Sequence, residues 1–449
     1  VSATAPTVRT ADTYDRDALT DWYLRNRRRS QDLFDMLAPE TYYARPIALR
    51  NPIVFYEGHL PAFSANTLLR RGLGVDGIDD HLDRLFARGI DPDDEASATP
   101  RVVATWPARD RVREYAAAAD RAVLAAIRSA DFARTDRPVL CRAEGVYALL
   151  EHEAMHQETL LYMWHQLPHA QKRRPSDGTD RPIIGGEPPA PRTVRVPAGL
   201  ATLGARRDAT FGWDNEFVEH QVEVGAFDID VYNVTNRDFL AFVEAGGYQN
   251  RSLWSPADWA WVQEREVSHP SFWVGRGGRW FWRGMFEDVP LPAAWPIYVA
   301  HAEAAAYARW KGRRLVTEAE FHRAAYGDSS GSERAQPWGA APADPAIGNF
   351  DFTHWDPVPV GSYAAGVSAW GVHDLIGNGW EWTATVFAPF EGFEPMASYP
   401  EYSADFFDGQ HFVMKGASPG TARELVRRSF RNWFRPQYPY VYATFRTVG

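Results

Sequence analysis

Cysteine is almost missing: Cys141 is the single one in 449 residues. An internal disulfide needs two cysteines and a thiolate metal cluster needs several, so both are excluded. Lysine is nearly as scarce, with Lys172, Lys311 and Lys415 alone against a background of arginine. The 48 basic residues are outnumbered by 58 acidic ones, for a formal net charge of −10. That balance argues against the basic footprint of a nucleic-acid binder. No apolar run approaches the roughly 18–20 residues a membrane span requires. The first thirty residues are polar and contain no apolar core of a secretory signal. The expectation is a cytoplasmic protein with small-molecule partners, no nucleic acid and no membrane.

What the chain does have is aromatic mass, 18 Trp, 19 Tyr and 25 Phe, sparse before residue 200 and dense after it. At roughly 100–200 residues per domain, the length predicts two or three domains. Residues 15–170 carry helical periodicity in four stretches, 15–37, 50–73, 109–127 and 144–167. Four such stretches predict a helical bundle, an architecture that builds metal sites from side chains on facing helices. A proline- and glycine-rich stretch over 171–195 reads as a linker. From 196 to 449 short strand patterns (the run from 193 to 199, 220–235 and 411–418 among them) alternate with long loops and a few short helices, an α+β, loop-rich grammar. The fold class expected is therefore multidomain, a four-helix bundle followed by an α+β domain.

The strongest chemical signal is His152-Glu153-Ala154-Met155-His156-Gln157-Glu158. On a helix His152 and His156 lie about 40° apart, one turn from each other, and two neutral imidazoles so placed can share a divalent ion. The string also fits the H-E-x-x-H zinc-protease pattern with Glu153 as general base. The extended metzincin version fails, because Leu160 and Trp164 stand where its glycine and third histidine belong. A third ligand is available upstream at His59, in an otherwise apolar helical stretch from Asn51. Alone, His59 would read as a core histidine bonded to backbone; beside a histidine pair on a neighbouring helix it reads as a ligand. A three-histidine face with open positions suits zinc hydrolysis or non-haem iron oxygen chemistry, and spacing does not choose between them. Glu153 is placed to orient a ligand imidazole, whereas Glu158, about 200° from His156, points away from the metal and supports the surroundings or the domain boundary.

The His59 segment with the H-x₃-H-x-E helix resembles the DinB-type bundle of the ergothioneine-pathway sulfoxide synthases. The second half resembles the formylglycine-generating-enzyme (sulfatase-modifying factor) domain, a C-type-lectin-like fold. The residues that carry this likeness are Val234-Thr235-Asn236 with Phe239 and Phe242, the run from Arg314 to Phe321, Gly377-Asn378-Gly379-Trp380-Glu381-Trp382-Thr383, and Phe430-Arg431-Asn432-Trp433 followed by Phe445-Arg446. That family includes ergothioneine and ovothiol enzymes and the selenoneine synthases. The resemblance implies Fe(II) held by His59, His152 and His156, oxygen as co-substrate, and a sulfur or selenium atom joined to imidazole C2 of hercynine (Nα-trimethylhistidine) docked between the two halves. It also implies that Asn432 and Trp433 contact hercynine, and that a tyrosine delivers a proton, Tyr399 and Tyr402 being candidates without a place. Formylglycine-generating enzymes use cysteines in this domain, and Cys141 lies outside it, so residues 196–449 are expected to bind substrate rather than form a second catalytic centre.

Two positions depart from the family pattern. Phe434 replaces an acidic residue that meets the amino group of γ-glutamylcysteine in some members, and Met155 replaces a glutamine that touches the substrate imidazole. An ammonium facing Phe434 loses its charge partner. Arg435, Gln437, Tyr438 and Tyr440 nearby suit a neutral, hydroxyl-rich donor such as a selenosugar, and equally free cysteine. The reading therefore weighs slightly toward a selenoneine synthase, with an ergothioneine-pathway sulfoxide synthase using cysteine or γ-glutamylcysteine as the alternative and a zinc hydrolase as a third.

Overall fold

The computed structural model describes residues 14–87, 105–175, 182–208 and 211–449. These residues form two units. One takes the chain through 175 together with Phe211 and 395–402, and the other takes 182–208, 212–394 and 403–449.

In the first unit, α1 (Arg16–Asp35) begins at Asp15, whose carboxylate accepts the Ala18 N–H and satisfies a first-turn amide. Its buried residues include Leu19, Trp22, Tyr23, Asn26, Ser30, Leu33 and Phe34, a stripe at three- and four-residue spacing that faces the core. Helix α2 (Ile53–Ala65) shows no such stripe, because every one of its residues is buried. Pro61 inside it has no N–H to bond back one turn. The chain then continues in a wider π-type winding over Asn66–Leu73, ending at Gly74 with φ +71. A short α3 (Asp80–Leu85) is capped by Asp79. The long helices α4 (Arg109–Ser129) and α5 (Glu144–Gln166) complete the set. Helix α2 packs on α4 and α5, and α1 packs on the same two, which closes a four-helix square. Leu19, Leu68, Val123, Ile127, Val146 and Leu149 share its core. Residues 395–402 are tied to this unit by the Arg71 guanidinium on the Ser398 carbonyl (2.6 Å) and by the Ser398 N–H on Glu144 (3.0 Å).

The second unit carries α6 (Asn236–Glu244), α7 (Pro256–Glu264), α8 (His301–Trp310) and α9 (Glu318–Tyr326). Its strands are β1 (Thr193–Val196), β2 (Gly199–Leu203), β3 (His220–Val224), β4 (Phe227–Asp230), β5 (Trp273–Arg276), β6 (Arg279–Arg283) and β7 (Asp288–Pro290), followed by β8 (Arg314–Leu315), β9 (Gly379–Val386), β10 (Phe412–Ala417), β11 (Asn432–Phe434), β12 (Ala443–Thr444) and β13 (Thr447–Val448). They form two four-stranded sheets, ordered β1-β4-β13-β8 and β11-β10-β9-β12, and two smaller ones.

The motifs that stood out in the sequence turn out to clamp this unit together. The Asn378 amide, at φ +66, bonds both the N–H and the carbonyl of Val358 (2.9 Å each). Glu381 and Arg446, both fully buried, form a two-pronged ion pair (2.6 and 2.7 Å). Arg431 pairs with Glu318 (3.0 Å), and Thr235 and Thr317 cap α6 and α9 in reciprocal boxes with Asp238 and Glu320. Pairing of Val413 with Trp433 and of Met414 with Asn432 places β11 at the edge of its sheet.

Candidate metal centre

His59 comes from the buried middle of α2, and His152 and His156 from adjacent turns of α5. The structure brings the three together, with one ring nitrogen of each lying within 4.8 Å of the others. Ring centroids stand 5.1 Å apart for His59 with either partner and 4.2 Å apart for His152 with His156.

Backbone carbonyls commit two of the six ring nitrogens. Nδ1 of His59 faces the Phe86 carbonyl at 2.8 Å, and Nδ1 of His156 faces the His152 carbonyl at 3.0 Å. Each contact requires the proton on Nδ1, which leaves Nε2 with its lone pair. Close approach makes the first contact possible, since a Cβ on Gly58 would lie 2.5 Å from the Phe86 ring. His152 is the exception: it is 2% exposed, and neither of its ring nitrogens has a hydrogen-bond partner. A buried nitrogen without a partner costs free energy unless something else takes its lone pair. Three neutral imidazoles with Nε2 or an unpaired nitrogen turned to one point fit a divalent metal ion.

Electrostatics keeps the rings neutral. Burial lowers the His59 pKa to about 4, against the opposing pull of the Phe86 carbonyl. Burial, reinforced by His59, lowers that of His156 to about 3. His152 is pushed well below the ordinary value by burial and then by its two histidine neighbours. Aromatic faces hold the rings in place, Phe63 lying parallel to His152 (3.5 Å, 8°) and Phe55 parallel to His59 (4.9 Å, 19°).

Glu153 takes a different place from the one expected. Its carboxylate accepts from Arg27 (2.8 Å) and Ser30 (2.6 Å) of α1, so carbonyls rather than Glu153 hold the protons of His59 and His156. Burial raises its pKa and Arg27 opposes the rise. A carboxylate engaged in this way is a poor base for a zinc-bound water, and the hydrolase reading loses its key group. Glu158 is buried on α5 and is not part of the three-histidine group.

Met155 is half-buried, and its sulfur accepts the Tyr402 hydroxyl at 3.3 Å. Tyr399 lies against Phe63 (5.2 Å) and His152 (6.1 Å). No local pattern reveals this tyrosine pair, which is more than two hundred residues from the helix it meets. Phe63, one turn after His59, was accessible from helical spacing but passed as ordinary core. A chamber of about 420 Å³ opens beside the histidines, walled by Phe63, Tyr399, Arg70, Arg71, Arg84 and Glu401 among others.

Asn432, Trp433 and Phe434 lie in the second unit, on β11. Trp433 is half-buried with one face stacked on Phe387 (4.1 Å, 6°). Phe434 stacks on Tyr438 (5.0 Å, 14°), and Asn432 Oδ1 accepts the Trp433 N–H (2.9 Å).

Fold and site define a class: a helical three-histidine metal-binding unit joined to an α+β unit clamped by buried ion pairs. Residues 23–160 match the DinB superfamily, and residues 184–449 match the sulfatase-modifying factor enzyme 1-like domain. The chain belongs to the DinB plus sulfatase-modifying-factor family of hercynine oxygenases and ergothioneine biosynthesis proteins. It is 37% identical to the hercynine oxygenase of Mycolicibacterium thermoresistibile over 66% of this chain and 67% of that one. Identity to the Mycobacterium tuberculosis hercynine oxygenase is 39% over 52% of this chain and 55% of the relative. Ergothioneine biosynthesis protein 1 of Neurospora crassa is 27% identical over 92% of this chain, which spans 55% of that longer relative.

Proposed function

We propose that this chain is an oxygen-dependent synthase that holds Fe(II) at His59, His152 and His156 and joins a chalcogen atom of a donor to imidazole C2 of hercynine. The observation that carries the reading is the pair of unpartnered nitrogens on buried His152, beside two imidazoles whose Nδ1 atoms are already committed. Bound iron supplies one-electron chemistry with oxygen and favours a deprotonated chalcogen ligand.

The chain's own residues do the rest. Phe55 and Phe63 fix the ligand rings and keep water from them. The chamber bordered by Phe63 and Tyr399 admits the reactants, and its guanidinium and carboxylate groups favour polar ones. Tyr399, beside His152, is the residue we assign to proton delivery, and Tyr402 fixes the Met155 thioether through its O–H···S bond. Trp433 offers a ring face to a trimethylammonium group that cannot donate hydrogen bonds.

The relatives' names favour sulfur as the chalcogen. Phe434, with Tyr438 and Tyr440 beside it, favours a neutral, hydroxyl-rich donor, and a selenosugar is the finer reading proposed here.

Anaerobic purification, metal analysis and oxygen uptake test both levels. Iron content with hercynine-dependent oxygen consumption supports the synthase; tight zinc without oxygen uptake overturns it. Supplying cysteine, γ-glutamylcysteine and a selenosugar in parallel identifies the donor. Turnover with the thiols alone overturns the selenium assignment and leaves the synthase standing.

A further inference from the structure

The second unit contains a cavity of about 190 Å³ where β4, α6, α8 and the end of the chain meet. Asn233 lines it, is 2% exposed, and has neither a donor for its amide oxygen nor an acceptor for its amide nitrogen. Such a side chain is costly in a folded protein unless a ligand or water completes it. Three cations share the lining: Arg192, Lys311 and Arg313. Arg192 and Lys311 are exposed, and Lys311 lies over the Trp310 ring at 4.9 Å without a carboxylate partner. The two carboxylates of the lining are already engaged. Asp238 accepts from the Thr235 hydroxyl and N–H (2.6 and 3.2 Å), and Asp230 accepts from the Thr447 hydroxyl and N–H (2.6 and 2.8 Å) and lies 3.6 Å from Arg313.

We propose that this cavity binds a phosphate group, as free phosphate or as a phosphomonoester, independently of the chemistry at the histidines. The amide of Asn233 presents one donor and one acceptor, and a partly protonated phosphate offers both complements. Its oxygens accept from the amide N–H and from the Arg192 and Lys311 cations, while its P–OH donates to the amide oxygen. Sulfate, fully ionised at neutral pH, has no proton to donate and leaves that oxygen unsatisfied.

Calorimetric titration of the full chain with inorganic phosphate, sulfate at matched ionic strength, and phenyl phosphate tests the site. Saturable phosphate binding tighter than sulfate binding is expected. An Arg192→Gln/Lys311→Gln variant, altered only at exposed positions, should bind phosphate about tenfold more weakly. An Asn233→Ser variant should narrow the preference for phosphate over sulfate. Phenyl phosphate binding as tightly as phosphate supports the site and assigns it to phosphomonoesters; exclusion of phenyl phosphate supports it and assigns it to the free ion. Absence of saturable binding, equal affinity for sulfate, or a double variant that binds as well as the parent overturns the proposal.

Discussion

The two units treat buried polar groups in opposite ways. The α+β unit buries full charges and pairs them: Glu381 with Arg446, Glu318 with Arg431, and Glu216 with Arg427 and the Ser429 hydroxyl. Even Lys415, whose pKa burial lowers to about 8, donates to the carbonyls of Arg428 and Phe430. The helical unit buries groups of no net charge, three imidazoles, and leaves nitrogens of theirs without protein partners. Paired ions that satisfy one another are a means of fixing loops. Neutral donors that converge and stay unsatisfied among one another are a means of holding something else.

The sharpest way to break this contrast is at His152. His152→Ala should remove nearly all bound iron and reduce oxygen-dependent turnover to background while the helical circular dichroism persists. Full iron content and activity in that variant would refute the ligand assignment. The counterpart in the other unit is Glu381→Ala, which strands the Arg446 guanidinium in a site with no exposure. Removal of one partner of a buried pair costs about 3–5 kcal/mol, to be read from denaturant unfolding. An unchanged midpoint would mean that the carbonyls of Asp230, Val231 and His373, which Arg446 also bonds, carry the charge unaided.

A third measurement sharpens the functional side. Trp433→Ala should raise the KM for hercynine by about 2- to 30-fold, the equivalent of a cation–π contact of ~0.5–2 kcal/mol, and shift the donor's KM far less. Equal effects on both would remove Trp433 from its proposed place.

The smallest effect concerns Glu303. Burial raises its carboxyl from 4.5 to about 7, against the Tyr248 hydroxyl and the Ala300 N–H, both of which donate to it. Between those values the folded chain holds a proton that the unfolded chain has released. The contribution of this group therefore favours folding at low pH and declines as pH rises from about 4.5 to 7. Glu303→Gln should flatten that part of the stability profile, measured by thermal unfolding across the window.

Much of the helical unit was legible because its long helices are amphipathic or sit between clear boundaries. The predicted stretches at 15–37, 109–127 and 144–167 overlap α1, α4 and α5 closely. The stretch at 50–73 also holds, although the change to π-type winding after Ala65 left no mark in the apolar pattern. Strand β9 carried no period-two signal, since its first five residues are buried without alternation. At the site, the histidines were readable from chemistry and spacing, whereas their supports were not. Arg27 sits within a run of arginines that reads as a solvated face, yet it reaches in to bind Glu153. The Phe86 carbonyl that holds His59 has no side-chain signature at all. Tyr399 and Tyr402 joined the helical unit across a chain separation that periodicity cannot bridge.

Gly58 gives the protein an unusual vulnerability. One extra methyl there would drive Phe86 off α2 and carry away the oxygen that decides which nitrogen of His59 is left to bind. A change that contributes no ligand and touches no reactant would then surface as a chain that folds but arrives without its iron.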